Sequence, residues 1–277
     1  MIIDSHLHLW DLQIGTYSWL GPQHGELFRS FGPAEAAGEL SAAGVSSAVL
    51  VQAEDSLADT RYLLDVARRN RWVHGVVGWV PLDAPDDAAR ALDDLADPAL
   101  RGIRHLVHDD PRDEFLDLPE VRKSLGLVAG RGLAFDVPDA WPRHLAAVGR
   151  LADALPELTV VVDHLGKPPR GTDRMAAWAR CLREVARRPN VVAKLSGLQQ
   201  PGQPFAVDEL RPVVTIAVEA FGADRLMFGS DWPMTVADGG YRRTAHVLQE
   251  LIDELTDGER TAIRRATATR VYGKEPR

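Results

Sequence analysis

The stretch SSAVLVQAEDSLADTRYLLDVARRNRWVHGVVGWV, residues 46–80, holds the unit from which the fold is read. Its two ends, SSAVLVQA (46–53) and VHGVVGWV (73–80), are short runs rich in valine, the composition of buried strands. Between them, Thr60 to Arg69 sets Tyr62, Leu63, Val66 and Ala67 on one face at helical spacing, with Arg68 and Arg69 at the carboxyl end where cations complement the helix dipole. Two apolar strands separated by one amphipathic helix form a parallel pair joined by a crossover.

The same unit recurs along the chain. Strands are expected at about 1–8, 101–107, 131–137, 158–164, 190–196 and 225–231 besides the two above. Helices are expected from Pro33 to Ala43, Pro85 to Ala96, Pro119 to Ala129, Pro142 to Ala154, Asp173 to Arg187, Asp208 to Phe221 and Tyr241 to Leu255. Eight alternating units predict an α/β fold closed into a (β/α)8 TIM barrel, with an open doubly wound sheet as the alternative. No glycine-rich phosphate loop follows the first strand, which disfavours a dinucleotide fold. A long segment from Trp10 to Phe31 follows it instead, with Trp19, Pro22 and His24, and is expected to lie over the rim as part of a pocket. The 277 residues suit one barrel domain, 1–277, with Asp257 to Tyr272 as a terminal helix packed on the barrel.

Composition narrows the function classes. A formal charge of -8 speaks against a nucleic-acid partner, because neutralising phosphates needs a basic surface. Cys181 is the only cysteine, so an intrachain disulfide and thiolate metal cages are excluded; its neighbours Trp178, Leu182 and Val185 place it on a buried helix face. No run approaches the roughly 18 apolar residues of a membrane span, and a soluble, cytoplasmic protein acting on a small molecule is expected.

In such a barrel, chemistry gathers at the carboxyl ends of the strands. The opening MIIDSHLHLW, residues 1–10, alternates so that Asp4, His6 and His8 are expected on one strand face, the two imidazoles roughly 7 Å apart along it. Strand 6 ends in Asp163-His164, strand 7 carries Lys194 and Ser196, and strand 8 ends in Ser230-Asp231-Trp232. His6, His8, His164 and Asp231 suit one divalent ion, zinc first, and equally suit a metal-free site in which an imidazole polarises a carbonyl while Asp231 activates water. Helix capping would be the ordinary use of Asp231, and hydrogen bonding to its loop that of His164. Arg104 and His105 are adjacent and cannot both point inward on a regular strand. With His108, Trp10 and Trp232 they are the candidates for holding substrate, whereas His24, His74, His144 and His246 are expected to be structural or exposed.

With these residues assembled, the chain resembles the amidohydrolase superfamily and, more narrowly, its lactonase-rich branch. IDSHLHLWD (3–11), VLVQAE (49–54), GIRHLVHD (102–109), VVDHLGKPP (161–169), AKLSGL (193–198) and LMFGSDWP (226–233) carry the resemblance in order along nearly the whole chain. It implies a TIM-barrel hydrolase that opens a small sugar lactone, with His6, His8, His164 and Asp231 as the active-site set and Arg104 and His105 near the substrate. Two departures from the wider superfamily stand out: strand 4 offers no lysine to bridge two metals, and strand 5 ends in Phe135-Asp136-Val137 without histidine. A metal-dependent decarboxylase or amide hydrolase of the same superfamily and a non-catalytic ligand-binding barrel are the other functions weighed.

Overall fold

Valine-rich segments pair side by side in a computed structural model of the chain, which describes residues 1–273. The strands are β1 Ile3–Leu7, β2 Ser47–Val51, β3 Val73–Gly78, β4 Leu100–Arg104, β5 Ala134–Val137, β6 Val160–Val162, β7 Val191–Leu195 and β8 Leu226–Phe228. Each pairs in parallel with the next, in the order β1 to β8. The ring closes through a parallel bridge between Leu7 and Trp232, where the His8 amide donates to the Trp232 carbonyl (2.7 Å) and the Asp231 amide to the His6 carbonyl (2.8 Å). Eight parallel strands alternating with helices make this a (β/α)8 barrel, as expected.

The helices are α1 Pro33–Ala42, α2 Leu57–Arg69, α3 Pro85–Asp94, α4 Pro119–Gly130, α5 Leu145–Ala154, α6 Met175–Ala186, α7 Val207–Phe221 and α8 Gly240–Asp253. α2 starts earlier than the spacing predicted because Ser56 caps it, its hydroxyl accepting from the Asp59 amide. α5 starts later than Pro142, since the preceding turn is drawn toward β6 by the Trp141 amide, which donates to the Gly166 carbonyl (2.8 Å). Cys181 on α6 is only half-buried, because Trp178 and Leu182 take the buried stripe of that helix. The expected terminal helix is three successive pieces, α9 Asp257–Thr261, a π turn at 262–266 and α10 Thr267–Tyr272.

Most apolar burial lies between the barrel and its helix layer. A second cluster fills the barrel floor, where Ile3, Val49, Val77, Val161, Val192 and Met227 meet Ala268 and Tyr272 of α10. The terminal segment is therefore the plug of the amino-terminal end, leaving the opposite mouth for chemistry. Over that mouth lies the segment from Trp10 to Phe31, pinned at its base by an antiparallel bridge between those two residues. Its middle is latched to the β2–α2 connection: buried Tyr17 donates its hydroxyl to Asp59 (2.8 Å) and its amide to Glu54 (2.6 Å), and the Trp19 indole donates to the Ala53 carbonyl (2.8 Å). Among the described residues, no helix is long and apolar enough to cross a membrane.

Candidate active site

The local fold of β1 decides which of its polar residues reach the mouth. Asp4 pairs with Ala48 but Leu7 with Leu50, so one extra residue is accommodated between them. The alternation resets there, contrary to the single face expected for Asp4, His6 and His8. Asp4 turns toward α8 and the β8 end, accepting from the Tyr241 hydroxyl (3.0 Å) and from the Ser230 amide (2.9 Å) and His6 amide (3.0 Å). Burial nonetheless pushes its pKa up to about 6. His6 and His8 turn together, with their Nε2 atoms 3.1 Å apart.

Asp231 and His164 lie just beyond the last paired residues of β8 and β6, both with left-handed backbone, φ 59° and 56°. Such conformations are costly for residues other than glycine and accumulate at functional sites. Asp231 Oδ1 stands 3.4 Å from His8 Nε2, 3.7 Å from His6 Nε2 and 3.9 Å from His164 Nε2. On the far side of His164, its Nδ1 pairs with the Ser196 hydroxyl at 2.9 Å. Gly197 (φ 55°) lets the β7 loop pass beside this group, since a Cβ there would meet the His164 ring and the Asp231 carboxylate.

Burial and charge set the protonation states. Desolvation would raise Asp231, but the imidazoles of His164, His8 and His6 outweigh it and hold the carboxyl well below its usual range. Burial pushes the imidazoles of His6 and His164 below their ordinary value, so both rings stay neutral near pH 7.

A divalent ion fits this group. His8 Nδ1 donates to the Val51 carbonyl (2.8 Å), which leaves its Nε2 as a bare lone pair. His6 Nδ1 lies 3.3 Å from Asp163 Oδ1 and can donate there with the same result. Two lone pairs and a carboxylate oxygen then face one another at 3.1 to 3.7 Å, an arrangement that repels without a cation between. That spacing is what ligand atoms about 2.0–2.2 Å from a shared ion require.

Beneath the histidines lies a charged layer that the sequence reading did not assemble. Lys194 Nζ is 2.5 Å from Asp136 Oδ2, 3.0 Å from Asp163 Oδ1 and 3.1 Å from His6 Nδ1, all fully buried. Tyr272 of α10 donates to Asp136 from below, and Arg104 Nη1 is 3.6 Å from Asp163 Oδ2. Burial pushes Asp136 up to about 6, whereas Asp163, despite the same burial, is held well below the carboxylate range by Lys194 and His6. The signal was present as charges at inward registers of valine runs, AFDV, VVVD and VVAK, where branched aliphatics are the rule.

Above the group opens a cavity of about 270 Å³ lined by His8, His164, Asp231 and Arg104, with Trp10 and Trp19 on one wall. His108 also lines it, and so does His24, which the sequence predicts to be structural or exposed; the Trp10–Phe31 segment brings it in. His105 faces elsewhere: its ring stacks on Phe115 (centroids 4.2 Å apart) between the carboxylates of Asp55 (3.1 Å) and Asp110 (3.2 Å). Trp232 packs edge-on against Phe31 behind the wall rather than in it (5.3 Å). The mouth carries Lys167 and Asp139, 4.0 Å apart.

Comparison with known proteins agrees with this geometry. The family model described as Amidohydrolase matches residues 3–274. The chain is 39% identical to an L-fucono-1,5-lactonase of Burkholderia ambifaria over 86% of its own length and 82% of that protein. It is 31% identical to an L-fucono-1,5-lactonase of Burkholderia multivorans, over 98% and 95%. A crystal structure of an amidohydrolase from Burkholderia multivorans with bound zinc superposes with a TM-score of 0.88 at 30% identity, over 98% of this chain and 99% of that one. On a match that runs through all eight strands, this chain belongs to the amidohydrolase family.

Proposed function

We propose that the protein is a hydrolase that opens a small sugar lactone, an aldonolactone, to its hydroxy acid. The observation that carries the reading is the convergence of Asp231 with three imidazoles under a small cavity, in a chain 39% identical to an L-fucono-1,5-lactonase. His6, His8 and Asp231, with His164 beside them, would hold a divalent ion. We assign zinc from this nitrogen-rich donor set and from the zinc in the Burkholderia multivorans structure. Such an ion, when bound, polarises a carbonyl and makes water more acidic.

The chain's own residues do the rest. Asp231 is ionised throughout the working range and takes a proton from the attacking water as oxygen bonds to the lactone carbonyl carbon. As the tetrahedral adduct collapses, the bond from carbonyl carbon to ring oxygen breaks, and Asp231 returns the proton to the leaving alkoxide. His164, neutral and steadied by Ser196, faces the same space and orients the substrate carbonyl. Arg104 offers its guanidinium edge to the hydroxyls of the ring. Trp19, packed edge-to-face against buried Trp10 (centroids 5.5 Å apart, interplanar angle 87°), gives one wall an apolar surface suited to a sugar ring. Purified protein assayed with a pH indicator against a panel of aldonolactones, with and without chelator, tests the reading; no turnover of any lactone would overturn it.

A further inference from the structure

His6 has two partners for one ring atom. Its Nδ1 is 3.3 Å from Asp163 Oδ1, which can only accept, and 3.1 Å from Lys194 Nζ, which can only donate. One neutral imidazole cannot satisfy both at once. If Nδ1 carries the proton it donates to Asp163, and Nε2 is a lone pair. If Nε2 carries it, Nδ1 accepts from Lys194, and Nε2–H donates to His8 Nε2, 3.1 Å away. His8 donates from Nδ1 to the Val51 carbonyl, so a neutral His8 ring presents Nε2 as an acceptor in both cases. The second arrangement gives both ring nitrogens of His6 a partner without an ion, because Lys194, hydrogen-bonded to Asp136 and 3.0 Å from Asp163 Oδ1, donates to Nδ1 while Nε2–H points at His8. The first leaves Nε2 free to ligate.

We infer that Lys194 and Asp163 are positioning residues that let His6 take either tautomer, and that occupancy of the His6–His8–Asp231 group by a divalent ion selects between them. The inference rests on the metal assignment proposed above. On loading, one proton leaves Nε2 for solvent and one is taken up at Nδ1, so the ring stays neutral and the buried layer keeps its balance of two carboxylates, Asp136 and Asp163, against two cations, Lys194 and Arg104. A site built this way closes on itself when empty instead of holding two opposed lone pairs.

The tautomer is read by nitrogen-15 spectroscopy of histidine-labelled protein, with His6 assigned from a His6→Asn sample. In chelator-dialysed enzyme His6 is expected to be protonated at Nε2, and after one equivalent of zinc at Nδ1. In Lys194→Met only Asp163 remains as partner, and the Nδ1-protonated form is expected with and without zinc. Zinc uptake with an unchanged His6 tautomer in the unaltered protein overturns this inference and leaves the metal assignment standing. Failure of the unaltered protein to take up zinc overturns both. The unaltered protein decides the matter even if the variant does not fold.

Discussion

Asp231 Oδ1 stands 3.4 Å from His8 Nε2 across the seam where the last strand meets the first. The carboxylate is the ionised group of the cluster, held well below its usual pKa range by the imidazoles of His164, His8 and His6 despite its burial, and is the group assigned to take a proton from water and give it back. Asp231→Asn keeps the size and is expected to cut kcat by about 10²–10⁴, the usual worth of a general base. Steady-state kinetics beside a thermal melt check this: a melt like the parent's with turnover within a factor of ten would remove Asp231 from the role.

Replacing His8 addresses the ion directly. His8→Asn deletes one of the three converging donor atoms and is expected to weaken zinc binding by more than the roughly 10–100-fold that loss of a supporting residue costs. Calorimetry with zinc on chelator-treated protein measures it, and unchanged affinity would place the ion elsewhere.

Gly197 sits where a side chain would strike both His164 and Asp231. Gly197→Ala is expected to cost about 1–3 kcal/mol of stability through its left-handed backbone. The displaced pair is expected to lower kcat by about 10²-fold, the scale of a misplacement near 1 Å. Denaturant melts and kinetics separate the two effects; parent-like turnover would show that the loop yields without moving the pair.

The latch on the rim segment carries a pH signature. Burial pushes Asp59 up to about 6, and the Tyr17 hydroxyl is one of the bonds that oppose the rise. Removing it in Tyr17→Phe moves the folded-state pKa higher still, so the variant's deficit against the parent is small at pH 5, where Asp59 is protonated in both. The deficit is complete at pH 8, about 1–3 kcal/mol for a buried acceptor left short of a donor. Melts at the two pH values test it, and an equal deficit at both would contradict the assignment. KM for the lactone is expected to rise too, because Trp19 is carried by the same segment.

The barrel was legible because alternating valine runs and amphipathic helices leave few topologies open, as residues 46–80 show on their own. His6, His8, His164 and Asp231 were legible because polar residues closing apolar strands fall at one rim. What failed did so where period-two alternation breaks: the extra residue between Asp4 and Leu7 sends Asp4 to Tyr241, and the end of β4 leaves Arg104 toward the cavity and His105 against Phe115. His24 could not be placed, since its position depends on how Tyr17 and Trp19 fasten a segment without periodicity. Trp232 was drawn inward by its neighbour Asp231, but the left-handed turn at Asp231 sends the two side chains apart.

The bridge between Leu7 and Trp232 has a consequence for assembly. His6 and His8 come from one end of the strand order and Asp231 from the other, so no run of seven consecutive strands contains the whole group. Catalysis is thereby a census of finished rings: in a refolding mixture, chains collapsed with every helix formed but the last seam unzipped are invisible to an activity assay, while circular dichroism counts them as folded.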